Sequence, residues 1–348
     1  MMSNMINIHD ILDNVMIQAV DKGNEYWIRK ILNLDFGRIH IAIMVEPYLS
    51  YILNGRKTIE SRISQKKSSP FKKVERKDIV ILKKSGGDIQ AVFEVGEVSF
   101  FEQLNPKKIS EIKNAYNDKI CGDEEFWKKK EGSTYATLIE INSLFICRNI
   151  KTTGKNRQSW ICWDNKYRNK LTVILSGKVA SGKTYLSKYI AMLLSCRRYS
   201  VSDYLKHIAA IREQKDVSRQ ILQEIGKEQI ELGWEMFVNN FLGFIDWNNN
   251  ENIVIDGVRH IEFFNTLMEQ IKTCKVVLVW VEIDENTMAI RMKKRNESGN
   301  FLGHMAEGNL EQIRQRADIV IVNGKEQESD STRQLLYELY RCIYSHII

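Results

Sequence analysis

The sequence predicts a multidomain chain, with a strand-rich α+β domain first and an α/β domain on a parallel sheet second. Three observations predict it. The chain has 348 residues, more than one domain usually holds. Short strand-like runs with helical pieces between them predominate in the first half, whereas strand and helix alternate from residue 171 onwards. Repeated β–α units imply a parallel sheet covered on both faces. Between the halves, residues 151–170 (KTTGKNRQSWICWDNKYRNK) are polar, basic and short of aliphatic side chains, and read as a linker. The predicted boundaries are a helical extension over 1–37, a first domain over 38–150, the basic linker over 151–170 and a second domain over 171–348.

The elements follow in order. Ile8–Ala19 carries a helical pattern. Arg38–Val45, Ile79–Leu82, Ile89–Val98 and Thr137–Phe145 are predicted strands, because β-branched and apolar residues run or alternate there. Tyr48–Asn54, after Pro47, is a predicted helix, as is the charged stretch Ser110–Ala115 leading towards Glu124–Lys129. Trp160, Ile161 and Trp163, inside the linker, are expected to dock on a neighbouring domain. After it come a strand at Leu171–Ser176, a helix from Lys183 to about Ser195, a short strand near Tyr199–Ser202, and helices at Asp203–Arg212, Ser218–Leu232 and Trp234–Phe244. Ile253–Asp256, Lys275–Val281 and Ile319–Val322 are strands; Glu262–Ile271, Glu285–Lys294 and Ser331–Ile343 are helices.

Composition narrows the function classes. A hydrophobic content of 43% supports real cores and argues against global disorder. No apolar run reaches the length needed to cross a bilayer, and the first residues lack a basic stretch followed by an apolar one, so neither a membrane span nor a signal peptide is expected. Six scattered cysteines without a C-x-x-C fit free thiols and a cytoplasmic location better than disulfides or zinc. The net charge of +7 is local: residues 51–100 hold eleven Lys and Arg against six Asp and Glu, and residues 151–170 hold six against one. Such surpluses suit nucleic-acid or small-phosphate partners.

The sharpest motif is LTVILSGKVASGKT, Leu171 to Thr184. A β-branched run stops at Gly177, then G-x-x-x-x-G-K-T opens an apolar helical pattern, the context of a phosphate-binding loop. Two glycines let backbone N–H groups turn inward on phosphate oxygens, and the helix N-terminus adds partial positive charge. Gly177, Ser181, Gly182, Lys183 and Thr184 are the expected ATP-binding residues. Lys183 would reach the β- and γ-phosphates, and the Thr184 hydroxyl would face Mg2+. Further on, NIVIDGVRH ends an apolar run in Asp256, placed to hold Mg2+ through water. Arg259 follows closely enough to pair with an acceptor phosphate. Arg291 and Arg295 share a helix face at i,i+4, before the Gly/Asn/Ser-rich stretch Asn296–Gly303, which reads as a lid. Asp203, Lys206, Arg212, Arg219 and Gln223 lie on expected acceptor-side helices.

The runs VSDYLKHIA, RQILQEIGKEQIELGWEMFVNNFL, IVIDGVRHIEFF and ADIVIVNG, in this order after the loop, resemble the nucleoside and deoxynucleoside monophosphate kinase branch of P-loop kinases. The resemblance covers about residues 171–345. It implies ATP and Mg2+ as cofactors and a nucleoside or deoxynucleoside monophosphate as acceptor. It also implies acceptor contacts at Asp203 and Arg219, a phosphate contact at Arg259, and catalytic roles for Lys183, Asp256, Arg291 and Arg295. Lys227, Glu228 and Gln229 stand where many relatives carry a Thr-Glu-x-x-Arg run.

In the first half, ILNGRKTIESR (Ile52–Arg62) clusters Lys57, Glu60 and Arg62 beside Gly55. This G-x-K-x-x-E-x-R run, with KDIVILKKSGG and AVFEVGEV, resembles an ASCH domain, a small β-barrel relative of PUA modules, over roughly residues 38–147. Lys77 stands where relatives carry a turn glycine, and a different turn is expected. Two cations suit phosphate and a carboxylate suits a base amino group. Three readings stand for the cluster: a reader of nucleic acid (RNA or DNA) or a modified base, a small amidohydrolase-like activity on a nucleobase, or a structural ion-pair cluster. The whole chain thus reads as an ATP-dependent nucleotide kinase with a fused recognition module. The alternatives are a kinase acting on a nucleotide within a polynucleotide and an ATP-gated RNA-binding regulator.

Overall fold

The computed structural model describes residues 8–33, 37–151, 158–164, 171–213, 217–247, 251–272, 275–294, 306–323 and 328–344. Contacts divide the chain into two units. Residues up to 22 and from 34 to 168 form one; residues 23–33 and those from 169 onwards form the other. The N-terminal extension is therefore shared out. Helix α1 (Ile8–Asp21) belongs to the first unit, and α2 (Glu25–Leu32) to the second. There Asn33, capping α2, donates from Nδ2 to the Leu193 carbonyl (2.9 Å) at the end of the helix that follows the glycine-rich loop.

The first unit contains β1 (Arg38–Met44), α3 (Tyr48–Leu53), β2 (Ile59–Ser64), β3 (Ile79–Lys84), β4 (Ile89–Phe101), α4 (Pro106–Ile120), α5 (Glu124–Lys130), β5 (Tyr135–Ile150) and β6 (Trp160–Asp164). Its sheet runs β2-β5-β4-β3-β1-β6, antiparallel except for β1 with β3. The register of β4 on β5 shifts at three places, and such bulges bend and coil a strand pair. The sheet is a half-barrel with β2 and β6 as its edges, in keeping with the α+β barrel-type domain that the sequence predicts. Ala42, Leu82, Phe93 and Ile139 fill its concave core. Asn105 caps α4 and Asp123 caps α5; the two helices are separate because Cys121 turns into the left-handed region (φ 61°) between them.

Strand β6 comes from the stretch whose composition reads as a linker. Trp160, which the sequence expects to dock on a neighbour, packs in the core of the first unit and is held by a buried polar chain. Its Nε1 donates to His40 Nδ1 (3.1 Å), and His40 Nε2 meets Asp78 Oδ2 (2.9 Å). Asp78 also accepts from the backbone of Arg38 and Glu75. The Trp160 donor requires His40 Nδ1 to be the acceptor, so Nε2 carries the proton that points at Asp78. Strand pairing alone would leave β6 as an interchangeable edge; this chain pins it to β1 and β3.

The second unit contains β7 (Leu171–Gly177), α6 (Lys183–Leu193), β8 (Arg197–Ser200), α7 (Val201–Ile211), α8 (Arg219–Glu231), α9 (Trp234–Phe244), β9 (Ile253–Asp256), α10 (Ile261–Gln270), β10 (Lys275–Glu282), α11 (Glu285–Lys294), α12 (Ala306–Gln315), β11 (Ile319–Val322) and α13 (Glu328–Tyr344). Its sheet is parallel throughout, in the order β11-β10-β7-β9-β8. Every residue of central β7 is buried, as a strand covered on both faces must be. Ile174, Phe241, Ile255 and Trp280 belong to its main core. Ser200 and Ser218 cap α7 and α8 by accepting from the backbone N–H of Asp203 and Ile221. Among the described residues no helix is long and apolar enough to cross a membrane.

The turn at Lys77 keeps the glycine-type conformation with a lysine in it: φ is +73°, and its N–H bonds to the Val95 carbonyl (2.8 Å). A left-handed non-glycine residue costs about 1–2 kcal/mol, and glycine returns about 0.5–1 kcal/mol of that as chain entropy. Lys77→Gly should therefore raise stability by up to about 1 kcal/mol, read as a higher urea midpoint. A lower midpoint would show that the Lys77 side chain contributes more than its backbone costs.

Candidate functional site

The C-terminal site is built where β7 and β9 end. Leu175 lies opposite Asp256, so the glycine-rich loop after β7 and the carboxylate ending β9 emerge at the same edge. Two glycines are required there. Gly177 has φ +147°, and a Cβ on it would strike the Val281 carbonyl oxygen of β10. Gly182 has φ +91° and caps α6; a Cβ would strike Asn323 Nδ2. That Asn323 nitrogen donates to the Ser181 carbonyl (2.7 Å), tying the loop to the residue that follows β11. Ala180 also adopts the left-handed region (φ 59°) and accepts at its carbonyl from Arg291 Nη1 (3.2 Å). Lys183 is buried and folds onto its own loop, donating to the carbonyls of Gly177 (2.8 Å) and Lys178 (2.5 Å) and to Ser181 Oγ (3.3 Å). Thr184 is exposed beside it.

Asp256 is buried and does not stand alone. Its Oδ2 accepts from Ser187 Oγ (3.1 Å) on α6 and from Arg198 Nη2 (2.7 Å) on β8. Asp203 occupies the first turn of α7. Burial pushes its carboxyl upward, but hydrogen bonds from Ser200 and Lys206, with the charges of Lys206 and Arg198, hold it below the usual range. Arg219 is the first residue of α8, and Arg259 lies just beyond β9; both are half-buried. The structure thus brings Gly177, Ser181, Gly182, Lys183 and Arg291 into one cradle with Asn323. Asp256 stands on the neighbouring strand, linked through Arg198 to Asp203. Arg295 and the stretch 296–303 lie outside the described residues. Arg198, Ser187 and Asn323 were not singled out by sequence reasoning. Asn323 had a signal, since it stands next to last in the run ADIVIVNG; Arg198 had none, because its partners lie on three other elements.

In the first unit, Lys57, Glu60 and Arg62 line one cavity of about 660 Å³. Lys57 is buried, donates to the Ile120 carbonyl (3.0 Å) and lies 3.5 Å from Glu60 Oε2. Burial pushes its ammonium pKa down, against the pull of Glu60. Arg62 spans the open seam. Nη1 donates to the Ser159 carbonyl and Nη2 to that of Ile43, the guanidinium lies over Trp160, and Nε sits 2.8 Å from Glu60 Oε1 without hydrogen-bond alignment. Lys130, Tyr48, Phe126 and Tyr135 line the same cavity, and burial lowers the Lys130 pKa with help from Arg62. Lys57 and Arg62 are therefore committed first to the domain itself, and so is Lys130, which donates to the Ile63 carbonyl (2.9 Å); Lys129, also in the lining, pairs with Glu125.

Comparison with known proteins separates the same two halves. Residues 43–151 match the family model described as ASCH domain, and residues 173–324 match one described as AAA domain. The chain thus joins a region that matches the ASCH domain model to one that matches the AAA domain model and carries the P-loop. Solved structures similar to the ASCH domain include ASCH from Zymomonas mobilis (12% identity, 37% of this chain and 89% of that one, TM-score 0.31). Those similar to the kinase-like domain include shikimate kinase from Bacteroides thetaiotaomicron (20% identity, 49% and 97%, TM-score 0.31). A gluconokinase from Sinorhizobium meliloti 1021 is similar over 50% of this chain and 94% of that one (14% identity, TM-score 0.29). No curated protein matches the sequence.

In the glycine-rich loop, a Cβ at Gly182 would displace the Asn323 side chain from its bond to Ser181. Gly182→Ala should weaken ATP binding in calorimetry while the chain stays folded, because alanine is strained at this left-handed φ and the Asn323 tie to the loop must shift. Wild-type affinity in this variant would mean that the loop does not hold phosphate in the conformation seen.

Proposed function

We propose that the kinase-like domain transfers the γ-phosphoryl group of ATP to a nucleoside or deoxynucleoside monophosphate, and that the ASCH domain recognises nucleic acid or a nucleotide. The observation that carries the first half is the convergence on one loop: Arg291 from α11 donates to Ala180, Asn323 after β11 donates to Ser181, and Asp256 ends the adjacent strand. A bare glycine-rich turn needs none of these. Phosphoryl transfer asks the protein for positioning and charge neutralisation more than for covalent chemistry. Lys183 would exchange its loop carbonyls for phosphate oxygens, Arg291 would neutralise charge on the group in flight, and Arg259 with Arg219 would orient the acceptor phosphate for in-line attack.

Mg2+ uses few protein oxygens and keeps several waters. The exposed Thr184 hydroxyl and the buried Asp256 carboxylate fit that donor set. Asp256 Oδ2 is already engaged by Ser187 and Arg198, which suits holding a metal-bound water better than direct ligation. Bound there, the ion would supply positive charge to the phosphate oxygens.

Transfer of label from [γ-32P]ATP to a panel of NMPs, dNMPs and short oligonucleotides tests the reading. A labelled mononucleotide is the expected product; label on oligonucleotides alone would favour a kinase acting within a polynucleotide. Lys183→Ala should lose about 3–5 kcal/mol of transition-state stabilisation, read as kcat/KM, with the fold intact. Unchanged turnover would overturn the assignment.

For the ASCH domain, the cavity of about 660 Å³ sets Lys57, Arg62 and Lys130 around the buried Glu60, beside the exposed Lys129, Glu46, Asp123 and Glu125 and the rings of Tyr48, Phe126 and Tyr135; cations next to ring faces suit the phosphate and base of a nucleotide. Binding of labelled single-stranded RNA and DNA to the full chain should weaken with salt, with a log–log slope of about −0.7 per phosphate contact. Lys130→Met should reduce the slope and leave ATP affinity unchanged. Absence of binding at about 50 mM salt, where the electrostatic attraction is strong, would leave the cluster as an internal ion-pair network.

A further inference from the structure

Arg198 belongs to none of the motifs that point to the kinase-like site, yet it touches three of that site's elements. It lies on edge strand β8 opposite Val254 of β9, two residues before Ser200, which lies opposite Asp256. From there its Nη2 donates to Asp256 Oδ2 (2.7 Å) and its Nε to Ser187 Oγ (2.7 Å) on α6, and Nη1 lies 3.6 Å from Asp203 Oδ2 on α7. The side chain is 18% exposed, and that of Asp256 only 4%. A guanidinium is planar with fixed donor directions, so groups bound around it are held in one rigid arrangement; an ammonium is a point charge and cannot do this.

We propose that Arg198 is a positioning residue for both ends of phosphoryl transfer. It locks Asp256 against α6, the helix that begins at the phosphate loop, and pairs by charge with Asp203 in the first turn of α7, on the acceptor side. Its charge also offsets a buried carboxylate that would otherwise repel an incoming triphosphate. Donor and acceptor are thereby held at a separation set by one side chain. The inference rests on the phosphotransferase reading for its consequence, and on the three contacts for its geometry.

The test uses the full chain with Arg198→Met, Arg198→Lys and Arg198→Ala. In the absence of substrate, hydrogen exchange is read over residues 201–206; protection should fall in Arg198→Met and be partly kept in Arg198→Lys. With substrates, Arg198→Met should lose about a hundredfold in kcat, the scale of a small misplacement, and raise the acceptor KM severalfold. ATP affinity by calorimetry should stay within about threefold, because the loop and Lys183 are untouched. Added methylguanidine should restore part of the kcat of Arg198→Ala. Unchanged exchange over 201–206 overturns the positioning role, and so does a loss in which ATP affinity collapses as well and methylguanidine restores nothing. A wild-type chain that binds ATP but transfers to no acceptor overturns the reaction and leaves the exchange result to decide the role of Arg198.

Discussion

The parallel pairing of β7 with β9, in the register that sets Leu175 opposite Asp256, is the constraint on which the C-terminal site depends. In a parallel sheet all strand ends of one kind lie at one edge, and loops there bring distant segments together. A slip of one residue would turn Asp256 to the other face of the sheet. The buried strand β7 resists such a slip because both of its faces are packed. From that register follow the cradle of Gly177 and Gly182, the approach of Asn323 from the end of β11, and the guanidinium of Arg198 between Asp256 and Asp203.

The first unit solves a different problem. A half-barrel has two edges, and exposed edges invite pairing with other chains. Here β6 covers the outer side of β1 and is pinned by the Trp160–His40–Asp78 chain. At the other edge Arg62, on β2, reaches across to the carbonyls of Ile43 and Ser159 and to the face of Trp160. The same guanidinium lines the cavity. Closure of the seam and shaping of the pocket thus share one residue, whose planar fork presents Nη1 and Nη2 to two different carbonyls.

Much of the architecture was legible because its signals are local. The β-branched run before Gly177 and the isolated run IVID each act through neighbours in sequence. The strand near Tyr199–Ser202 was placed two residues late, because Ser200 reads as strand until its hydroxyl is seen to cap α7. Strand β6 was hidden in a basic, polar stretch, since an edge strand needs few aliphatic residues and gains its place from one tryptophan. Helix α2 carried no sign that it packs with the second unit, because an amphipathic pattern states that a face is buried and not against what.

The sequence by itself determined which loop can hold phosphate, since two glycines and a Lys-Thr pair at fixed spacing set a backbone shape that few other residues permit. It determined equally that a strand-rich half precedes a β–α half. Only the tertiary structure decided what each charged residue does. Lys57 and Arg62, read as cations for a ligand, are bound first to Ile120, Ile43, Ser159 and Glu60; Arg198, silent in the sequence, holds Asp256, Ser187 and Asp203 together. Backbone preferences act over a few residues and can be read from them, whereas the partner of a buried charge is chosen by whichever groups the fold brings within about 4 Å of it, and nothing in linear spacing records that distance.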